Sequence, residues 1–104
     1  MAMFGMFGTF TAHPGKRDEL AGLLHEATRL PRPMEGVLAY VVYTLPQEPD
    51  KVGVFEVWES REAHKASLQL ETVRELIARA RPLIAGAPDS VEINPLGGLG
   101  LLER

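Results

Sequence analysis

An α+β domain is what this sequence predicts, in the order strand, helix, strand, strand, helix, strand. Three observations lead there. Short runs rich in Val and aromatics are the mark of strands. Between them, Leu, Ile and Ala recur at helical spacing in two stretches. Pro, Gly and polar breaks separate the runs. This is the order of the split βαβ, ferredoxin-like arrangement, with the helices on one face of a four-stranded antiparallel sheet.

The elements follow in sequence. Met3 to Ala12 is the first strand, with Phe4, Met6, Gly8, Phe10 and Ala12 on one face and Met3, Gly5, Phe7, Thr9 and Thr11 on the other. His13-Pro14-Gly15 is a turn. Leu20, Leu23, Leu24 and Ala27 mark an amphipathic helix from Lys16 to about Leu30, ended by Pro31 and Pro33. Val37 to Leu45, VLAYVVYTL, is the second strand, and Pro46 to Lys51 a polar turn. Val52 to Trp58 pairs back as the third strand. Ser60 is placed to cap a helix carrying His64. A further helix from about Glu71 puts Val73, Leu76, Ile77, Ala80 and Ile84 on one face. Pro82 narrows or kinks its end, and Gly86 is placed as its C-cap. Ser90 to Asn94 is the fourth strand.

Residues 1–94 therefore make one domain, and 95–104 an apolar tail expected to pack on that domain or on a partner subunit. The strands are apolar on both faces, yet the helices cover only one. A homodimer, sheet against sheet, is the economical way to cover the other.

Composition excludes several functions. The net charge of -3 offers no basic field for nucleic acid. No run of ~18 apolar residues predicts a membrane span. The apolar start MAMFGMFGTF lacks a charged leader segment and a cleavage site, so it reads as a strand. The absence of cysteine removes disulfides, thiolate metal sites and a thiol nucleophile, and fits a cytoplasmic protein. The three His have no ligand-like spacing, so no metal site is expected. Gly97-Gly98-x-Gly100 follows the last strand with no helix behind it, which argues against a nucleotide loop.

The element order, the Pro14-Gly15 turn, the Gly36 that opens strand two, and the Glu56-x-Trp58-x-Ser60 run resemble the antibiotic biosynthesis monooxygenase family. The stretch from Trp58 through Arg81-Pro82-Leu83-Ile84-Ala85-Gly86 to Pro95-Leu96-Gly97-Gly98 resembles its quinol monooxygenase branch. The resemblance implies a dimeric α/β barrel and a monooxygenase that needs no cofactor. It also departs from the pattern. Many members carry a His nine residues after the Trp, where this chain has Ser67, with His at position 64 instead. Haem-degrading relatives carry a His near Leu68, which this chain lacks.

The candidate residues gather around the third strand. His64 is the best single candidate base, since imidazole titrates near working pH. It reads equally as a helix-surface histidine with a local hydrogen bond. Glu56 lies among apolar residues and, if buried, needs a partner. It is either a structural hydrogen-bonding group or a carboxylate that assists the base. Trp58 is a core or interface ring, and on the functional reading also a platform for an aromatic substrate. Phe10, Tyr40 and Tyr43 are further substrate-binding aromatics, although the tyrosines fall on opposite faces of one strand. Arg81 is either solvated or a partner for an anionic oxygen. His13 and His25 read as structural or exposed.

The expected function is oxidation of an electron-rich aromatic, a quinol or polycyclic phenol, by molecular oxygen. The rivals are a non-catalytic ligand-binding barrel and an isomerase that uses the same base.

Overall fold

A computed structural model describes residues 2–29 and 34–102. Strand β1 spans Phe4–Thr11 and helix α1 spans Arg17–Glu26. Strands β2, Val37–Leu45, and β3, Glu48–Trp58, form a hairpin. Helices α2, Arg61–Ser67, and α3, Glu71–Ala80, follow, then β4, Asp89–Ile93. The sheet order is β2-β3-β1-β4, with every neighbouring pair antiparallel. This is the ferredoxin-like α+β topology that the element order predicts.

The sheet register follows from period two. Phe4 pairs with Trp58, Met6 with Glu56 and Gly8 with Val54. These residues face the helices. One core cluster joins Ala12, Leu20, Val52, Ala80 and Leu83; the other joins Phe4, Met34, Trp58 and Val73. Burial of each large apolar side chain contributes about 1.5–3 kcal/mol, so these two clusters hold the helices to the sheet. On α3, Val73, Leu76 and Ala80 are buried as their spacing predicts, while Ile77 is partly exposed.

Several boundaries differ from expectation. Helix α1 stops at Glu26, and a 3-10 turn continues it over Ala27–Arg29. There the Thr28 hydroxyl donates to the His25 carbonyl at 2.7 Å, giving that carbonyl a side-chain partner. The expected stops at Pro31 and Pro33 lie outside the described residues. The polar turn is only Pro46-Gln47, because β3 begins at Glu48 rather than Val52. β1 holds this polar segment in the sheet: Thr11 pairs with Lys51, and the Ala12 amide donates to the Asp50 carbonyl at 2.7 Å. Gly86 is not a helix C-cap. Helix α3 passes at Arg81 into a 3-10 turn ending at Leu83, and Ile84 is extended, bridging to Ala12. Gly86 takes its positive φ of 76° beyond that bridge. Strand β4 is shifted one residue toward the N-terminus.

The other sheet face is open. Val41, Phe55, Phe7 and Val91 form one row across all four strands, and Phe7, Val41 and Val91 are exposed. Phe7 and Phe55 pack ring to ring at 4.9 Å. The tail crosses one end of this face. It leaves β4 at one sheet edge, and the Leu102 amide donates to the Leu38 carbonyl, on β2 at the other edge, at 2.9 Å. Pro95 sits over Gly5: a Cβ there would lie 2.8 Å from the Pro95 ring. Leu96 and Leu99 are fully exposed and Leu102 is 62% exposed, so none of these leucines is buried among the described residues.

Candidate functional site

Tyr40 on β2 and Glu56 on β3 are cross-strand partners on the helix-covered face. Trp58, two residues after Glu56, shares that face, and its indole N–H donates to Glu56 Oε1 at 2.9 Å. His64 is brought over the same corner by the start of α2. The Ser60 hydroxyl accepts from the Ala63 amide at 3.1 Å and so caps the helix as expected. One turn on, the buried Ser67 hydroxyl donates to the His64 carbonyl at 2.6 Å. The imidazole stacks on Phe4, with centroids 5.0 Å apart, and meets Trp58 edge-on at 5.5 Å. Its Nε2 lies 3.8 Å from Glu56 Oε1, too far for a hydrogen bond but close enough for charge to be felt.

Electrostatics give these groups different characters. Burial pushes the Glu56 carboxyl above the usual carboxylate range, while the Trp58 N–H and His64 pull it back. Burial, and then the neighbouring Glu56 charge, hold the Tyr40 phenol far above its ordinary value. Tyr40 is therefore an O–H donor at any working pH, not a base.

Beside this cluster is an apolar cavity of about 140 Å³ between the helices and the sheet. Phe10, Leu23, Leu24, Tyr40, Leu76 and Arg81 are among its lining residues. Arg81 is exposed and stands at the rim. The structure thus divides the expected site residues into two adjoining groups. Phe10, Tyr40 and Arg81 meet around the cavity. Glu56, Trp58 and His64 meet around one carboxylate oxygen, and none of the three lines the cavity. Tyr40 links the groups, since it lines the cavity and faces Glu56 across the strands. Tyr43 belongs to neither. It points to the opposite sheet face, and its ring covers the Cβ position of Gly53 on β3.

Three contributors escaped the sequence reading. Phe4 supports the imidazole, and the Arg61 guanidinium sits 4.7 Å over the other half of that contact, the Phe4 ring. Arg61 is itself held by a two-nitrogen contact with Glu92. Period two places Phe4 on the right face, but nothing local announces its contact with α2. Ser67, noted only as a missing histidine, acts on the backbone of the histidine that is present. Among the described residues no group of three His, Asp or Glu stands ready for a metal ion. No described helix is long and apolar enough to cross a membrane.

Comparison with solved structures supports the fold. A candidate antibiotic biosynthesis monooxygenase from Chloroflexus aurantiacus J-10-fl is 44% identical, with 95% of this chain and 98% of that chain covered and a TM-score of 0.87. One from Caulobacter crescentus CB15 is 22% identical, covers 92% of each chain and has a TM-score of 0.83. Rv0793 from Mycobacterium tuberculosis is 20% identical over 93% of this chain and 98% of that one, with a TM-score of 0.79. At those lower identities the likeness is one of fold alone. A search of curated proteins gives no match. The family model for antibiotic biosynthesis monooxygenases matches residues 3–79, and the chain belongs to that family.

Proposed function

We propose that this protein is a cofactor-independent monooxygenase that oxidises an electron-rich phenolic ring, a quinol, with molecular oxygen. The observation that carries this reading is the apolar cavity, with one permanent O–H donor, Tyr40, set against a partly buried carboxylate–imidazole pair. A cavity of about 150 Å³ lined by apolar side chains admits benzene. At about 140 Å³ this one suits a single reacting ring.

The chemistry needs a base, an anion partner and the exclusion of water. The Glu56–His64 pair takes the phenolic proton, with His64 as its final holder. Tyr40 donates to the oxyanion, and Arg81 at the rim lends positive charge. The apolar walls keep the electron-rich anion from water while it reduces oxygen. The balance is closed: a quinol plus O2 gives a hydroxyquinone plus water. One oxygen atom enters the ring, the other leaves as water, and the substrate supplies all four electrons.

Oxygen uptake with a panel of quinols tests this. One O2 should disappear per quinol above the rate of autoxidation, and labelled oxygen should leave one labelled atom in the product. Quinol binding without uptake would instead favour a non-catalytic binding barrel.

The active form is proposed to be a homodimer, sheet against sheet. The exposed row of Phe7, Val41 and Val91 and the exposed leucines of the tail support it. Such an interface should bury more than ~2,000 Å² in total. Sedimentation should give twice the chain mass of 11.4 kDa. A chain ending at Asn94 should melt lower, by roughly 4–8 °C for each kcal/mol lost. A stable folded monomer at low concentration, or an unchanged melting curve after truncation, would count against it.

A further inference from the structure

A second, larger hollow lies against the first. Its volume is about 280 Å³, and it wraps around the β2 edge of the sheet. Ala27, Met34, Val37, Ala39, Tyr40 and Leu102 are among the residues that line it. Ala27 and Tyr40 line both hollows, so the two adjoin at these side chains. The far wall is Leu102 of the tail, brought there by its amide bond to the Leu38 carbonyl. The β-irregularity between Val37 and Ala39 makes this possible. It lets Val37 and Tyr40, on the helix side, and Ala39, on the opposite side, border one groove.

We infer that this groove is the outer subsite of the cavity and takes an apolar substituent, an alkyl chain or second ring, of the phenolic ligand held inside. The inference rests on the functional reading above. The inner cavity has room for one ring, so any larger ligand must continue elsewhere, and the groove shares its wall. Among the described residues the lining is mainly aliphatic, with no charged side chain. It would therefore select length and apolarity, not charge. Leu102 and Ala39 are then specificity-determining residues: Ala39 leaves the groove open and Leu102 covers it.

Calorimetric titration of 4-methylphenol, 4-ethylphenol, 4-propylphenol and 4-butylphenol into the full chain tests this. Each added methylene should tighten binding by about two- to fourfold, the upper figure being full burial of one CH2. The readout is the ratio of the methyl to the butyl Kd, so a general change of affinity cancels. Ala39→Phe fills the groove and should bring that ratio close to one. Leu102→Ala removes most of the covering side chain and should lower the ratio by at least twofold, with melting and sedimentation read alongside because the tail leucines are also assigned to the dimer interface. A ratio near one in the wild type, or the wild-type ratio in both variants, overturns the subsite while leaving the inner cavity intact. A normal length series with no oxygen consumption by the matching quinols overturns the oxygenase reading and upholds the subsite. Failure to bind any of the four phenols overturns both.

Discussion

Replacing His64 by alanine should lower quinol turnover by roughly 10²–10⁴-fold, the usual range for loss of a general base. The fold should survive. His64 lies in the short helix α2, where alanine is a better helix former, and the cap at Ser60 does not depend on it. What is lost structurally is the stacking on Phe4 and the edge contact with Trp58, worth about 0.5–1.5 kcal/mol by analogy with aromatic pairs. His64→Gln should be nearly as inactive, because an amide keeps polarity without basicity. Rates read together with melting curves check this. If His64→Ala turns over quinol at near the normal rate, the base is Glu56 or the substrate ionises unaided.

The route of the proton is what makes this a sharp test. His64 does not line the cavity, so its influence on a bound phenol must pass through Glu56, 3.8 Å from Nε2, and through the neighbouring Tyr40. Tyr40, held protonated by burial and by the Glu56 charge, is not itself the base, and it can pass a proton on only by donating its own as it accepts another. The carboxylate is the only acceptor in this cluster besides the imidazole. A purely structural His64 would alter melting and leave turnover per folded chain in place. A basic His64 lowers turnover per folded chain.

The parts legible in the sequence were those fixed by local chemistry. VLAYVVYTL is a run of strand formers between Gly36 and Pro46, and β2 occupies that run without a residue's error. Ser60 followed by Arg-Glu-Ala is a cap with its helix, and the hydroxyl bond is present. Period two also put Glu56 and Trp58 on one face, from which their hydrogen bond follows. What escaped was set by distant partners. Glu48 to Lys51 reads as a turn because its side chains are polar, but a β-ladder is made of backbone, and β1 extends far enough to supply it. Gly86 reads as a helix cap because glycine commonly ends helices, but Pro82 and the Ile84–Ala12 bridge end this one earlier. The division of Phe10, Tyr40 and Arg81 from Glu56, Trp58 and His64 depends on how α1 and α3 sit on the sheet. No spacing within the chain encodes that.

The largest effect on stability should come from Trp58. It is 1% exposed and packs with Phe4, Met34 and Val73. Trp58→Ala should cost about 3–5 kcal/mol, the range for emptying a buried aromatic site. The melting temperature should then fall by at least roughly 12 °C. Trp58→Phe isolates the polar part, because it keeps most of the ring and removes the N–H. Glu56 then loses the donor 2.9 Å from its oxygen, in a site where burial already lifts its pKa. The folded value rises further above the unfolded one. Between the two values the folded chain holds a proton that the unfolded chain has released. Stability is therefore greatest below the unfolded pKa and falls as pH rises through the folded one. This is the reverse of a salt-bridged carboxylate. In Trp58→Phe the fall should be steeper and reach higher pH than in the wild type. Adding Glu56→Gln should flatten it, since the amide oxygen carries no charge to bury. Urea midpoints for the three chains across the range above ordinary carboxylate titration would show this. Parallel profiles for wild type and Trp58→Phe would mean that the indole N–H does not hold the carboxylate's charge in solution.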